Sequence, residues 1–326
     1  MQLHRNAVPA VSVAAGRAYV ACSAAAGMWV TASSQSTAGP TRVVGPAASP
    51  LVGSIGSWDM SAVVVPLASV LRGRHAAAPL PRSGSVVSTS SAPDGTPGEG
   101  RVVSVSFGAT RILAVGSFKG ALEIGNGLGT VSALGSVRDE NHGTDAFGVM
   151  LDIRSPALAP VRFFTATVNS PPTMTEAFTA STASPNGHVH YVVGVADLGD
   201  TNRPVVSVNG RGVYLTAQGD DDGFVVALRD DDASPVWIAA PGHVRSADEL
   251  LAVAASAHTV AVGGYFTSSA PGWGGSVFGG HVGTGQVAAV YVLDTNGGAI
   301  WGKGFATDEA GGQAVARSVA IHVNTF

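Results

Sequence analysis

The sequence predicts an all-β protein, and three observations support this class. Short apolar runs rich in valine, alanine and aromatic residues alternate with turn-forming residues along the 326-residue chain, which is the pattern of strands joined by turns. Charged residues make up only 12% of the chain, and coiled coils, charged helical bundles and charge-rich disordered chains all need far more. The third observation is an internal repeat, in which the same strand pattern returns several times.

The overall composition excludes several classes of protein. The formal net charge of -4 leaves no basic surplus, so nucleic acid is not an expected partner. The single cysteine, Cys22, allows neither an intramolecular disulfide nor a cysteine-based zinc site. The apolar stretch Ala7–Val30 is interrupted by Arg17 and falls short of a membrane span, although Arg5 and Ala7–Ala15 are compatible with a signal peptide.

The repeat consists of four segments that share one pattern. Each has an apolar run, a short polar break and a second run that ends at a small residue. These small residues are Cys22, Gly116, Gly194 and Gly263. A third run that closes on leucine follows in each unit: Ser61–Leu67, Asp145–Leu151, Asp222–Leu228 and Val287–Leu293. In the last three units a further strand carries the aromatic residues Phe164, Trp237 and Trp301.

Four runs per unit predict four-stranded sheets that depend on one another. The units cover about residues 7–81, 101–174, 175–245 and 246–313, with a partial unit at 314–326. One such sheet cannot bury both of its faces alone, so neighbouring units are expected to stack. Radial stacking of four-stranded sheets gives a β-propeller, here with about four complete units in either a closed or an incomplete ring. The whole chain is therefore interpreted as one repeat array.

Two segments fit the repeat less simply. Ser246-Ala-Asp-Glu249 ahead of two leucines is a capping box, which by itself predicts a helix. The repeat register instead places Leu251–Ala255 where Val102–Ser106 stands, and we therefore predict a strand. The Ser-, Pro- and Gly-rich stretch 82–100 is predicted to be a flexible loop. Together with Thr31–Pro50, it is where binding specificity is expected.

Several motifs of the chain resemble a known repeat family. They include Asp145-Ala-Phe-Gly-Val-Met-Leu-Asp152, Phe163-Phe164, Asn186-Gly187-His-Val-His-Tyr-Val-Val-Gly194, Gly116-Ser-Phe-Lys-Gly120 and Gly264-Tyr-Phe266. This set is similar to the seven-bladed β-propeller repeats of the SBBP type, in the quinoprotein-like propeller superfamily. The resemblance covers roughly residues 101–320, with a degraded copy at 7–75. The family's lysine before the leucine is replaced by Met150, Ala227 and Val292.

The resemblance implies a fold and structural roles rather than an activity. It implies four-stranded blades in which Asp145 and Asp222 are structural positions, and an extracellular or cell-surface location. The equivalence of Ala316–Asn324 to the first strand of the second unit also admits a fragment of a longer repeat protein. No cofactor is expected.

Clustered carboxylates and imidazoles are the candidate metal ligands. Asp220-Asp221-Asp222 and Asp230-Asp231-Asp232 flank the strand Phe224–Leu228, and carboxylate oxygens are calcium ligands. Neither triplet has the alternating spacing of a calcium loop, so solvated hairpin ends are the preferred interpretation. His188 and His190 project to one face of a predicted strand and could ligate zinc or copper with a third ligand. No third ligand is evident, and a surface or inter-blade position is favoured.

The aromatic positions allow two interpretations. Trp58, Trp237 and Trp301 with Phe164 could form a stacking platform for a sugar or a quinone. Their recurrence in the repeat favours structural plugs between adjacent blades. Cys22 occupies the place of a repeat glycine, so a packing role is expected. The chain has no phosphate-binding loop and no nucleophile elbow.

The sequence therefore favours a non-catalytic scaffold or binding module for protein or glycan partners. This function rests partly on analogy, because one fold hosts many functions. A quinoprotein- or lactonase-like enzyme with a metal or cofactor at the central channel is the alternative. It would require polar residues of several units, such as His188, Asp197 and Asp222, to converge.

Overall fold

The computed structural model describes a chain whose regular structure consists of strands, with no helix among the described residues. Glycine-bounded, β-branched runs form these strands, as the sequence pattern predicts. The described residues are 8–14, 17–24, 28–30, 41–44, 59–66, 84–90, 99–119, 121–126, 137–138, 144–154, 160–168, 176–197, 205–208, 211–214, 221–240, 248–267, 272–273, 276–277, 286–307 and 312–321.

Twenty-four strands are described, and they fall in the order of the chain. The first twelve are β1 (Val8–Ala14), β2 (Arg17–Ala24), β3 (Met28–Val30), β4 (Thr41–Val44), β5 (Asp59–Pro66), β6 (Gly84–Ser90), β7 (Glu99–Phe107), β8 (Arg111–Lys119), β9 (Ala121–Asn126), β10 (Val137–Arg138), β11 (Asp145–Asp152) and β12 (Pro160–Val168). The others are β13 (Glu176–Ala183), β14 (Val189–Asp197), β15 (Val205–Val208), β16 (Arg211–Tyr214), β17 (Asp221–Arg229), β18 (Pro235–Ala239), β19 (Asp248–Ala255), β20 (Thr259–Phe266), β21 (Gly272–Trp273), β22 (Ser276–Val277), β23 (Val287–Asp294) and β24 (Ala299–Phe305).

The strands form sheets that are consistent with propeller-like blades, which confirms the all-β prediction. Two sheets have four strands, in the orders β13-β14-β17-β18 and β19-β20-β23-β24, and are called sheet 176–239 and sheet 248–305 below. Strands β12-β11-β8-β7 form a third four-stranded set, which β15 and β16 extend. The remaining sheets have the orders β1-β2-β5-β6-β9-β10, β3-β4 and β21-β22. Every pairing whose register is described is antiparallel.

The chain divides into two compact units. The first comprises Met1–His142 and Gly148–Phe163, and the second Gly143–Phe147 and Phe164–Phe326. In the first unit, the turn between β7 and β8 is closed by the Gly108 N–H, which donates to the Arg111 carbonyl at 2.8 Å. The Arg111 guanidinium pairs with Asp152 at 2.8 Å. Buried apolar side chains of this unit include Val102, Leu113, Val115, Phe118 and Leu151.

Sheets 176–239 and 248–305 share one apolar core within the second unit. Strand β23 alternates strictly between buried and partly exposed residues, which is the period-two pattern of a sheet with one packed face. Sheet 176–239 contributes Tyr191, Val193, Val225 and Ala227 to the core. Sheet 248–305 contributes Leu250, Val260, Val262, Phe266, Val287, Ala289, Tyr291 and Leu293. The stacking of neighbouring units, expected from the repeat, is therefore present for this pair of sheets.

A β-bulge recurs in the first strand of three units, always opposite a glycine. The bulges lie between Val102 and Ser104, between Phe178 and Ala180, and between Leu250 and Ala252. Opposite them stand Gly116, Gly194 and Gly264. A Cβ on Gly194 would come within 2.6 Å of the Ala177 carbonyl oxygen, and one on Gly264 would clash with the Glu249 carbonyl. The small residue of the repeat is therefore required by the close approach of the bulged strand.

This register also refines the sequence alignment. Gly264, rather than the preceding Gly263, occupies the position of Gly116 and Gly194. Both glycines of the pair are buried. The sequence alone does not separate them, because two adjacent glycines match the pattern equally well.

The capping-box signal and the repeat register predicted different structures for one segment, and the strand prediction is confirmed. Asp248–Ala255 forms β19, which pairs with β20. The segment does not form a helix because Leu250 and Ala252 are buried against neighbouring strands. This tertiary packing outweighs the helix preference of the capping box, which is worth about 1 kcal/mol.

The predicted flexible loop 82–100 needs a correction in its first half. Gly84–Ser90 forms β6, which pairs with β5 and β9. Val86, Val87 and Thr89 are β-branched and favour an extended backbone. The Ser and Gly content of the segment obscures this preference in the sequence.

Candidate functional site

The two candidate imidazoles lie in different environments. His188 is exposed in the turn between β13 and β14, whereas His190 in β14 is fully buried. The His190 Nε2 atom lies 3.0 Å from Asp230 Oδ1, and Asp230 is only 4% exposed. The Asp230 N–H also donates to the His188 carbonyl at 3.0 Å. This link joins the end of β17 to the start of β14, and it makes His190 a structural residue of the sheet.

The aspartate triplets also contain both buried and exposed side chains. Asp222 is fully buried in β17 opposite Ala196, whereas Asp231 and Asp232 are exposed. The Ser234 N–H donates to Asp232 Oδ1 at 2.8 Å. Hydrogen bonds from Ser234, above all from its side chain, lower the pKa of the Asp232 carboxyl. Asp220 lies outside the described residues.

The described residues do not bring the candidate metal ligands together. Val189 pairs with Arg229 at one end of sheet 176–239, and Ala196 pairs with Asp222 at the other. His188 and Asp222 are therefore about 26 Å apart along the strands. Asp197 ends β14 beside Asp221, at the Asp222 end of the sheet. Among the residues that the structure describes, no group of three or more His, Cys, Asp and Glu side chains could hold a metal ion.

Phe164 belongs to a run of aromatic contacts inside the second unit. Its ring meets Phe178 edge-on, with centroids 6.1 Å apart, and Phe178 meets Phe224 at 5.9 Å. All three rings are buried, so Phe164 packs in the core. Asp145 is partly buried at the start of β11.

Two sequence candidates cannot be placed as side chains. Trp58 lies outside the described residues. Cys22 is described only through its backbone, in β2 opposite Pro9 and Ser61. The predicted binding segments 31–50 and 82–100 are described only at strands β4, β6 and the start of β7.

Trp237 joins sheet 176–239 to sheet 248–305. Its Nε1–H donates to the Thr295 carbonyl at 2.8 Å, in the turn between β23 and β24. A Cβ on Gly297 of that turn would lie 2.8 Å from the Trp237 ring, and Gly297 has a φ of +86°. The ring also packs against Tyr191, with centroids 6.0 Å apart. Trp237 is thus a structural residue between two adjacent sheets.

Trp301 occupies the same register position in the next sheet. Trp237 pairs with Ala227 next to a bulge at Val236 in β18, and Trp301 pairs with Val292 next to a bulge at Ile300 in β24. Trp301 is nevertheless 45% exposed. The two tryptophans are therefore equivalent in sequence and register but differ in what covers them.

The surroundings of Trp301 form an apolar patch on an edge strand. Ile300 is 56% exposed and Phe305 is 45% exposed. Lys303 is also exposed, and its Nζ lies 5.4 Å from the centroid of the Phe305 ring. We call Ile300, Trp301, Lys303 and Phe305 the β24 patch. It is the most exposed set of large apolar side chains among the described residues, and we take it as the candidate binding site.

Residues 312–321 follow the same sheet on another part of its surface. The Ala314 N–H donates to the Gln286 carbonyl at 2.9 Å, and the Ala316 N–H donates to the Gly264 carbonyl at 3.0 Å. A Cβ on Gly263 would lie 2.7 Å from Val319 Cγ1. These residues are not assigned to a strand. Sheet 248–305 therefore carries a further segment of the chain against β20 and the start of β23.

The sequence analysis named Trp301 but not the rest of the β24 patch. Ile300 and Phe305 were not identified as exposed residues, because apolar residues in a strand are ordinarily assigned to the hydrophobic core. The one available signal was the composition of Ala299–Phe305, in which large residues stand on both alternating faces. Such a strand cannot bury both faces without a neighbour on each side.

The fold and the site together define a class: an all-β repeat protein of four-stranded antiparallel sheets with propeller-like blades. Neither a protein-family model nor a curated protein matches the chain. No helix of the described part of the chain is long and apolar enough to cross a membrane.

Proposed function

We propose that this protein is a non-catalytic β-propeller repeat protein that binds a protein partner through the β24 patch. The recurring bulge, glycine and tryptophan positions support a relationship to the seven-bladed SBBP-type repeats of the quinoprotein-like superfamily. The residue types that recur from unit to unit are packing residues, as the contacts of Trp237 and Gly194 illustrate.

The observation that carries the proposal is the exposure of Trp301 and Phe305 on one face of β24, with Ile300 exposed at the adjacent bulge. Contiguous exposed apolar patches are uncommon on monomeric proteins and mark interaction sites. Tryptophan is enriched among the residues that dominate binding energy in protein interfaces. Lys303, which lies between Trp301 and Phe305 on β24, adds one charge that a partner can pair.

Site-specific cross-linking in the full chain tests this function. Ile300→benzoylphenylalanine places the photoreactive group in the patch, and Asn186→benzoylphenylalanine places it in an exposed polar turn as the control. We expect a protein adduct from position 300 that excess unlabelled protein removes. Adding Trp301→Ala should reduce that adduct at least tenfold.

The result that would overturn the proposal is equal labelling from positions 300 and 186. Adducts that disappear on deglycosylation of the partner would instead assign the patch to glycan binding. Adducts that survive deglycosylation support recognition of the polypeptide.

A further inference from the structure

We infer that the β24 patch binds its protein partner as an added β-strand: an extended segment of the partner pairs antiparallel with the outer edge of β24 and places a carboxylate opposite Lys303. The inference rests on the proposed binding function of the β24 patch and adds the mode of recognition and the chemistry of the partner. Three observations lead to it: the outer edge of β24, the strands added at the same edge of two other sheets, and the side chains around Lys303.

Strand β24 offers a row of backbone groups on one side. It is the last strand of sheet 248–305 and, among the residues that the structure describes, it pairs only with β23. Residues of an antiparallel strand alternate between those whose N–H and C=O groups point to the paired neighbour and those whose groups point away. Alternate residues of Ala299–Phe305 therefore direct both groups outward. The strand contains no proline, so each outward N–H is a donor that a further strand can bind.

Two other sheets show what the outer edge of a fourth strand binds in this fold. Strand β6 is the fourth strand of the set β1-β2-β5-β6, and its outer edge pairs antiparallel with β9 from Ser85 to Ser90. Strand β12 is the fourth strand of the set β7-β8-β11-β12, and it pairs antiparallel with β15 from Ala166 to Val168. Each added strand belongs to a hairpin, β9-β10 or β15-β16, that lies later in the chain than the four strands it extends. A fourth-strand edge can thus accept a strand from outside its own repeat.

Sheet 176–239 has a fourth strand that is less suited to this pairing. Strand β18 has five residues and begins with Pro235, which has no N–H to donate. Its Trp237 ring is covered by the turn at Gly297. Strand β24 has seven residues, and its Trp301 and Phe305 side chains are each 45% exposed. Of these two edges, β24 is therefore the one that an added strand can use, and β18 serves as an internal control.

The side chains of β24 restrict which strand can be added. Trp301, Lys303 and Phe305 alternate along one face of the strand. The other face carries the buried glycines Gly302 and Gly304. The Lys303 Nζ atom lies 5.4 Å from the centroid of the Phe305 ring, so the charge stands within the apolar face. A lysine on an edge strand opposes indiscriminate pairing, because a partner that covers the ammonium group without a carboxylate pays for its desolvation.

These restrictions define a short sequence pattern for the partner. Directly opposite residues of an antiparallel pair are close neighbours, and opposite charges there stabilise the pair whereas like charges destabilise it. The partner strand should therefore carry Asp or Glu opposite Lys303. Two positions to either side it should carry β-branched or aromatic residues, which pack well against Trp301 and Phe305. A glycan can stack on Trp301 but has no alternating backbone groups for the edge, so the two features together favour a polypeptide.

The test measures amide hydrogen exchange in the full chain, labelled with ¹⁵N, with a synthetic peptide as the probe. The probe is Thr-Val-Thr-Glu-Thr-Val-Thr, and the control peptide has lysine in place of glutamate. Each is tethered through its C-terminus and a short Gly-Ser linker by a disulfide to Asn296→Cys in a Cys22→Ser background, which raises its effective concentration to about millimolar. Asn296 is exposed in the turn before β24, on the side where the C-terminus of an antiparallel strand would lie.

Strand pairing predicts a specific pattern of exchange. We expect the tethered probe to slow exchange at least tenfold in alternate residues of β24, namely those whose amides exchange fast in the free chain. Amides that already pair with β23, and those of β18, should not change. The lysine peptide should give less than a twofold effect. Two further probes carry N-methyl groups either on the Val and Glu residues or on the Thr residues, and only one of these two should lose the effect, because alternate N–H groups of the added strand face β24.

Three results would overturn the inference: no alternate protection of β24 by the glutamate probe, equal protection by the lysine peptide, or a shift of the Trp301 indole signal without amide protection. The third result would assign the patch to a ligand held by side chains alone, such as a glycan. The wild-type chain with free probe at about millimolar concentration repeats the measurement without the Asn296 substitution.

The cross-linking experiment separates this inference from the proposed function. A protein adduct at position 300 without alternate amide protection by the probe would retain the function and remove strand addition. Equal labelling from positions 300 and 186, together with alternate protection by the probe, would remove the function but support strand pairing at the edge of β24.

Discussion

At the scale of single residues, side-chain identity is set by the distances between strands. Gly194 and Gly264 stand where a bulged strand approaches too closely for any Cβ. Trp237 fills the gap between two sheets, and its indole N–H donates a hydrogen bond to the Thr295 carbonyl. These residues explain the repeat in purely structural terms, because each satisfies a packing requirement that returns in the next unit.

Replacing Trp237 tests this account directly. Trp237→Phe removes the indole donor and leaves the Thr295 carbonyl without that bond, at a cost of about 1–3 kcal/mol in the free energy of unfolding. Urea denaturation followed by circular dichroism measures the loss. Trp301→Phe is the matched control, and because Trp301 is 45% exposed its cost should stay within about 0.5 kcal/mol. Equal losses for the two variants would contradict the structural assignment of Trp237.

Tyr291 gives a prediction for alkaline pH. Burial, with a contribution from the charge of Asp248, raises the pKa of the Tyr291 phenol. A raised pKa stabilises the folded state fully below the unfolded value of about 10, and this contribution is lost as the pH rises further. Absorbance at 295 nm should therefore rise equally for wild type and Tyr291→Phe between pH 9 and 11.

Titration of the unfolded proteins in urea is the control for Tyr291→Phe. In urea the wild type should titrate five tyrosines and Tyr291→Phe four. Above pH 10 the folded wild type should lose stability more steeply than the variant. A smaller folded-state absorbance change in Tyr291→Phe below pH 11 would show that the phenol ionises normally.

At the scale of elements, polar pairs close the ends of the strands. The contact between His190 and Asp230 ties β14 to the end of β17 inside the protein. Exposed carboxylates on the same hairpin serve turns instead, as Asp232 does for Ser234. Adjacent residues of one triplet thus have separate roles because the strand end places one inward and the next outward.

A double-mutant cycle measures the buried pair. His190→Ala and Asp230→Ala should each destabilise the protein by about 2–4 kcal/mol, because each leaves a polar partner buried. The double variant should reveal a coupling of about 1–3 kcal/mol. His188→Ala with Asp232→Ala is the control cycle, with one exposed residue in each of the two neighbouring turns, and its coupling should be near zero. Comparable coupling in both cycles would argue against the buried contact.

At the scale of the molecule, neighbouring sheets of the second unit are stabilised by one shared core. Leu250 contacts Gly223 of the adjacent sheet, and the Thr179 hydroxyl donates to the Leu250 carbonyl across the same interface. Neither sheet buries these faces alone. Repeat proteins of this kind gain stability from nearest-neighbour interfaces as well as from individual repeats.

Removing the Leu250 side chain should consequently affect both sheets. Leu250→Ala should cost about 2–5 kcal/mol, and hydrogen exchange should accelerate in β14 of one sheet and in β20 of the other. Leu251→Ala changes the neighbouring, partly exposed residue and should accelerate exchange much less. Faster exchange confined to sheet 248–305 would show that the two sheets do not unfold together.

Much of this architecture was predictable from the chain alone. The strands of the last three units, the turns with positive φ at Gly187 and Gly297, and the structural position of Trp237 all follow from local pattern and repetition. The burial of His190 beside an exposed His188 was not predictable. Alternation in a strand assigns a face, but only packing decides which end of a strand is covered.

The sequence by itself determined that this protein is all-β and that its units repeat, because strand periodicity, turn residues and internal similarity are local properties. The tertiary structure decided which of two equivalent tryptophans is covered. Trp237 and Trp301 share their register and chemistry, and they differ only in what lies against them. Burial is a property of neighbours, so the exposed patch at β24 could be found only once the sheets were in place.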